Sequence, residues 1–190
     1  MIGAHERPAT PEAVAFAHEL SDHVPKLQTD RLSLRPLKLN DFAVLADLLA
    51  SERSRYVGGP MSRMDAWQEF AQLTSGWLLH GHGGWAIDHK GALAGFVLIG
   101  VEPGDHEREL GFLLTEDAEG TGIGFEAATA ARKFAFETLN FPTLVSYIDP
   151  ENTRSHRLAE RLGGASDAKA DAKMNNKMRV YRYTPTKAQP

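Results

Sequence analysis

The chain has 190 residues, 42% of them hydrophobic and 24% charged, which suits one ordinary folded domain and is tight for two. Its 21 Lys and Arg against 25 Asp and Glu leave a net charge of −4, arguing against a protein built to grip a nucleic-acid backbone. Cysteine is absent, which excludes a disulfide framework, a thiol nucleophile and a Cys-based zinc site, and permits a reducing cytoplasm. No apolar run approaches the ~18 residues needed to span a bilayer, and residues 1–17 lack the basic-then-apolar order of a secretion signal. The expectation is a soluble cytoplasmic protein with neither a membrane nor a nucleic acid as partner.

Residues 1–25 differ from the rest in having few large apolar side chains. Thr10-Pro11-Glu12 has the form of a helix start, so 11–22 reads as a short helix, with a loose arm as the alternative. Leu32-Ser33-Leu34-Arg35 alternates like a half-buried strand stopped by Pro36. Asn40-Asp41 then reads as the cap of a helix with Phe42, Leu45, Leu48 and Leu49 on one face. After the break at Gly58-Gly59-Pro60, Ser62 and Asp65 mark a capping box for a second helix through Trp77.

Strands are expected over 84–88 and 92–101, joined by a Lys90-Gly91 turn, and over 107–114. A glycine loop from Gly120 leads into a helix to Asn140 that turns Ala127, Ala131, Phe134 and Ala135 inward. A strand at 144–148, a helix at 152–162 and a last strand at 178–183 complete the series. The fold class is a single mixed α/β domain, residues 26–190, behind an extension of residues 1–25, without internal repeats.

The densest chemical signal is Glu119-Gly120-Thr121-Gly122-Ile123-Gly124-Phe125-Glu126, between a strand and a helix. The first amides of a helix lack internal partners and sit at its positive end, and glycines let an anion approach the backbone. Phe125-Glu126 stands where a Walker loop requires Lys-Ser/Thr, and Phe125 stands where a Rossmann fingerprint requires a third glycine. A pyrophosphate-bearing ligand other than a dinucleotide fits better. His80-Gly81-His82, with no nearby carboxylate or Cys, reads as a flexible turn, and no metal site is expected.

Glu109-Leu110-Gly111-Phe112-Leu113-Leu114 followed by Gly120-x-Gly122-x-Gly124-x-Glu126-Ala127 resembles the acetyl-CoA motif of the GNAT N-acetyltransferases, most closely the RimJ/RimL branch. Thr29 to Pro36, Asn152-x-x-Ser155 with Leu158 and Arg161-Leu162-Gly163, and Tyr181-Arg182-Tyr183 agree in order and spacing. The resemblance covers 27–183 and implies a central mixed sheet with flanking helices. It further implies acetyl transfer from acetyl-CoA to a primary amine, a protein N-terminus or a small molecule, by direct attack in a ternary complex.

By the same resemblance, the amides of Gly120, Thr121, Gly122, Ile123, Gly124 and Phe125 hold the CoA pyrophosphate, the Thr121 hydroxyl adding a donor. Leu113 and Leu114 lie at a strand bulge where pantetheine pairs with the exposed edge, and the Leu113 N–H faces the thioester oxygen. Asn152 holds the pantetheine arm and Ser155 sits near the sulfur. Three positions depart from the family pattern. Glu119 sets a carboxylate beside a pyrophosphate. Ala159 replaces a tyrosine that protonates the leaving thiolate, leaving Ser155 or water as donor. Gly164 replaces an aromatic.

Arg154, Arg157 and Arg161 form one helix stripe, either a solvated face or, through Arg157, a contact for the CoA 3′-phosphate. Glu109 is the expected general base, acting through water, with Glu107 in reserve. The acceptor pocket is expected between the loops at 53–60, with Arg55 and Tyr56, and at 165–178. A degenerate acyl-CoA-binding module and a dinucleotide-binding domain are the competing readings. The N-terminal arm also allows for packing on a second subunit in a homodimer.

Overall fold

Leu32, Leu34 and Pro36 are buried while Ser33 and Arg35 are half-buried, so β2 (Leu32–Pro36) shows the alternation its sequence implies. A computed structural model describes residues 3–185 and places this strand near one edge of an eight-stranded sheet. Before it come the helix α1 (Pro11–Asp22) and the short strand β1 (Leu27–Gln28). After it come α2 (Phe42–Ala50) and α3 (Arg63–His80), then β3 (Gly84–His89), β4 (Ala92–Gly100) and β5 (Glu109–Leu114). The second half holds α4 (Ile123–Glu137), β6 (Leu144–Ile148), α5 (Thr153–Arg161), β7 (Ala165–Ser166), α6 (Ala168–Lys173) and β8 (Arg179–Tyr183). The strand order is β1-β2-β3-β4-β5-β6-β8-β7; every neighbouring pair is antiparallel except β5 and β6.

The two faces of the sheet carry different helices because alternate residues point opposite ways. Trp85, Ile87, Val97, Ile99 and Leu110 pack with α4, whose Ala127, Ala128, Ala131 and Ala135 let the helix approach closely. Ala86 and Phe96 face the other way, against Phe42, Leu45 and Leu49 of α2 and Ala66 and Phe70 of α3. None of the described helices is long and apolar enough to cross a membrane.

Several local expectations change. Residues 11–22 are helical, capped by the Thr10 hydroxyl accepting the Ala13 N–H at 3.3 Å, but no residue of α1 is buried. The carboxylate of Asp41 makes no side-chain cap on α2. It accepts the Lys38 N–H at 2.7 Å and, with Asp88, receives the forked guanidinium of Arg35. Helix α3 runs past Trp77 to His80, where Gly81 takes the left-handed conformation that closes it. The expected flexible turn is therefore a helix end. His82 is buried, with Nδ1 2.8 Å from the Ile99 carbonyl. Strand β5 begins at Glu109, leaving Glu107 in the preceding loop, where it is bidentate with Arg182.

The segment expected to be a loop at 165–178 contains β7 and α6. Asp167 caps α6 by accepting the Lys169 and Ala170 N–H groups. Gly164 just before it has a clear cause. A Cβ there would lie 2.8 Å from Tyr183 Cε1 and 2.9 Å from the Ala159 carbonyl, so the Tyr183 ring fills the space. Gly164→Ala should cost about 1–3 kcal/mol through overpacking, read as a lowered urea midpoint at unchanged m-value; an unchanged midpoint would contradict this packing.

Candidate functional site

Strands β5 and β6 share only one register pair, Glu109 with Val145, closed by the Val145 N–H donating to the Arg108 carbonyl at 2.9 Å. Beyond it they part, and a slot of about 60 Å³ opens through the sheet. On one face it is lined by Ile148, Asn152, Ser155 and Ala159; on the other it meets Tyr56, Val57, Tyr147 and Glu109. At its closed end the Ser146 hydroxyl donates to the Leu110 carbonyl at 2.6 Å, and the Tyr183 hydroxyl lies 3.1 Å from Ser146 Oγ. The Tyr147 N–H reaches Glu109 Oε1 at 3.4 Å. Side chains thus satisfy the first backbone groups that the split leaves unpaired.

Further along β5 the register decides which amides face the slot. The β4–β5 ladder is unbroken from Glu109 to Leu114, and the Thr115 N–H continues it onto the Ala94 carbonyl. Backbone groups alternate sides along a strand. Since the Leu110 carbonyl faces β6, the groups of Phe112 and Leu114 face it too, and Leu113 is turned to Phe96 of β4. The bulge expected at Leu113 and Leu114 is absent. The Leu113 amide therefore does not open into the slot; those of Phe112 and Leu114 do.

The glycine loop follows the far end of β5, where Gly124 packs beside Leu114 and Phe112. Gly122, at φ +84°, caps α4, and the first intrahelical bond is Glu126 N–H to the Gly122 carbonyl. The Ile123, Gly124 and Phe125 amides precede that bond and have no partner within the helix. A Cβ on Gly124 would press against Leu114 at 3.1 Å, and one on Gly122 would meet Arg31 Nη2 at 3.3 Å. Arg31 also holds the loop from outside. Its Nε donates to Glu126 Oε2 at 2.7 Å and its Nη1 to the Thr121 carbonyl at 3.1 Å, while the Thr29 hydroxyl donates to Glu126 Oε1 at 2.6 Å. The Thr121 hydroxyl donates inward to the Ala118 carbonyl at 2.6 Å, so it is not the extra outward donor that was expected.

Glu119 is not an isolated carboxylate. Its oxygens pair with Arg53, at 2.5 Å, and with Arg154. Arg53 Nε is buried without a hydrogen-bond partner among the described residues. Arg161 lies over the Phe125 ring at 4.0 Å and Arg157 is exposed beside them. The mouth of the slot is thus cationic, with orphaned amides, which fits a pyrophosphate.

The opposite side carries buried and half-buried carboxyl groups. Burial pushes the Glu109 carboxyl up to about 8, helped by repulsion from Asp105 and Glu102. Glu107 differs, because Arg182 holds it below the ordinary carboxylate range. A carboxylate already clamped by Arg182 cannot serve as the reserve base. Among the described residues no group of three potential metal ligands exists.

Asn152 caps α5 by accepting the Ser155 N–H at 3.2 Å, and both line the slot. Arg55 stands back from it, donating to the Tyr56 hydroxyl at 2.7 Å. Sequence reasoning missed Ser146, Tyr147, Arg53 and Arg31 as parts of the site. Only Arg31, inside a quoted motif, carried any signal.

A protein-family model described as "Acetyltransferase (GNAT) domain" matches residues 31–165. An acetyltransferase structure from Agrobacterium tumefaciens str. C58 is 44% identical, covering 85% of this chain and 95% of its own, with a TM-score of 0.82. The "Uncharacterized N-acetyltransferase p20" of Bacillus licheniformis is 28% identical over 144 residues, 72% of this chain and 80% of its own. A structure of RimL, the ribosomal L7/L12 alpha-N-protein acetyltransferase in complex with coenzyme A, shares the fold at 16% identity and a TM-score of 0.69. It covers 84% of this chain and 98% of its own. The chain belongs to the GNAT acetyltransferase family and is an acyltransferase whose acetyl donor is acetyl-CoA.

Proposed function

We propose that this enzyme moves the acetyl group of acetyl-CoA onto a primary amine by direct attack in a ternary complex, as a RimJ/RimL-like N-acetyltransferase. The observation that carries this reading is the slot between β5 and β6, which passes through the sheet from a cationic, amide-rich mouth to a carboxylate of raised pKa. Acetyl-CoA supplies the activated acetyl group as a thioester.

The chain's own residues take the remaining roles. The Ile123, Gly124 and Phe125 amides, joined by Gly120, Thr121 and Gly122 of the loop, bind pyrophosphate, and Arg157 is available to the 3′-phosphate. The Phe112 and Leu114 backbone groups pair with an extended amide chain laid along β5. Their amides are the candidates for stabilising a developing oxyanion, a contribution worth ~3 kcal/mol. Asn152 holds the arm, and Ser155, with Ala159 one turn on, offers the hydroxyl nearest the expected sulfur position.

Glu109 takes the proton of the attacking amine. Its raised pKa suits the task, because a base is most effective when its pKa lies near the working pH. A non-catalytic acyl-CoA-binding module loses its main support, since Arg53 and Arg154 offset the charge of Glu119. Residues 1–25 form an extension outside this machinery. A cytoplasmic setting and a homodimer through α1, whose Phe16 is 60% exposed, belong to the same proposal.

Calorimetric titration with acetyl-CoA, with NADH as the control, should give saturable binding of acetyl-CoA alone; Gly122→Trp should abolish it. No acetyl-CoA binding by the wild type would overturn the reading. Arg31→Ala, which frees the loop, should weaken acetyl-CoA binding on the order of 10-fold, ~1.4 kcal/mol. For the amine, kcat/KM should rise as pH passes upward through about 8, because Glu109 acts only when ionised. Glu109→Gln should lower kcat ~10²-fold and remove that limb; unchanged turnover would sink the assignment.

A further inference from the structure

Beside the slot, on the face that carries Glu109, a groove of about 480 Å³ runs between the second half of α3 and the end of β4. The two spaces are separated by a low sill made of two ladder pairs, Leu98 with Gly111 and Gly100 with Glu109. Leu98 and Gly100 line the groove; Gly111 and Glu109 line the slot. A Cβ on either glycine would crowd Leu98, at 3.1 Å from Gly100 and 3.2 Å from Gly111, so the sill stays low only because both are glycines.

The groove has an apolar wall and an anionic end. Leu79 and Val101 line it and are 73% and 41% exposed. Glu102 lines it as well, with the Glu102 N–H donating to Asp105 at 2.8 Å. Glu69, one turn before Gln72 on α3, and Asp105 act on Glu102, and Glu102 and Asp105 act on Glu109. Several other half-buried or buried carboxylates are matched by arginines: Asp41 and Asp88 by Arg35, Glu107 and Asp167 by Arg182, Glu126 by Arg31. Among the described residues, Glu69, Glu102, Asp105 and Glu109 form no ion pair.

The positive groups nearby do not neutralise them. His106 acts weakly on Asp105, burial keeps His82 below its ordinary range, and Arg108 lies over the Phe141 ring at 4.5 Å. Burial, with repulsion from Glu69 and Asp105, raises Glu102 to about 7, and burial lifts Glu69 and Asp105. These are carboxylates short of a cation.

We propose that the groove holds the body of the acceptor, and that the acceptor is an aliphatic amine carrying a second positive charge. The reacting amine crosses the sill to Glu109 while its carbon chain lies along Leu98, Val101 and Leu79. The second ammonium meets Glu102 and its neighbouring carboxylates. The inference rests on the slot being the place of acetyl transfer and specifies what enters it.

The test compares 1,6-diaminohexane with n-hexylamine, which differ only in the second charge. Wild-type kcat/KM should favour the diamine by about 10-fold or more, the size of one well-placed charge contact. Glu102→Gln should bring the ratio close to one, with acetyl-CoA binding as the check on folding. Leu79→Lys, which puts a cation on an exposed wall of the groove, should lower the diamine kcat/KM in the same direction. A wild-type ratio near one, or a ratio untouched by Glu102→Gln, overturns the proposal. If neither amine is acetylated, calorimetry with the two amines decides separately. Saturable diamine binding that weakens in Glu102→Gln upholds the groove while the transfer reading fails, and equal binding of both amines rejects the groove.

Discussion

The molecule is organised around two parallel strands that hydrogen-bond at one register point and then part. A sheet split in its interior strands backbone donors and acceptors in a site with little water, at about 1–3 kcal/mol for each one left unsatisfied. At the closed end the chain supplies substitutes: the Ser146 hydroxyl for the Leu110 carbonyl, backed by Tyr183, and Glu109 for the Tyr147 amide. Toward the open end nothing in the described chain takes the place of β6 beside Phe112 and Leu114. A ligand with alternating amide groups can repair that edge as a strand would, the role proposed for the donor substrate.

Electrostatics gives the split a direction. Just before α4, Arg53 and Arg154 share Glu119, Arg53 also reaches Glu116, and Arg161 lies over Phe125 in the first turn of the helix. On the other side Glu102 lines the groove and Glu109 the slot, neither with a lysine or arginine partner among the described residues. An anionic donor and the proposed cationic acceptor would therefore be drawn to different sides of the molecule. The arrangement also explains why a net charge of −4 says so little about ligands: both signs are concentrated locally.

What the sequence revealed depended on the range of the interactions. The glycine loop and its helix were legible because Gly122 must adopt φ +84° and Gly124 must lie against Leu114, requirements met locally. The motif at Thr29–Arg31 was legible as a pattern, and its cause is a contact spanning 95 residues, Arg31 on Glu126. The helix at 168–173 was readable in principle from Asp167 and the Ala-Lys run after it, but charge alternation drew attention instead. The absence of a bulge at Leu113 could not be read, because register is set by the partner strand. Nor could the pairing of Glu119, whose partners lie 66 positions before it and 35 after it. Gly164 and Tyr183 show the same limit: a missing side chain makes sense only beside the distant ring that occupies its volume.

Proton transfer ties these features together. An aliphatic ammonium has a pKa near 10.4, so releasing its proton to water at pH 7 costs about 4–5 kcal/mol. Passing it to a carboxylate held at about 8 costs roughly 3, at ~1.4 kcal/mol per unit. Ionising that carboxyl first at pH 7 adds about 1.4 kcal/mol, so the total stays at about 4–5 and the raised pKa sets where the proton goes within the site. Repulsion from Asp105 and Glu102 adds to the burial that raises Glu109. A second ammonium seated among them would relax that repulsion and draw Glu109 back toward its ionised form. Under the proposed chemistry, acceptor binding would thus ready Glu109 as the base in the complex where it is used.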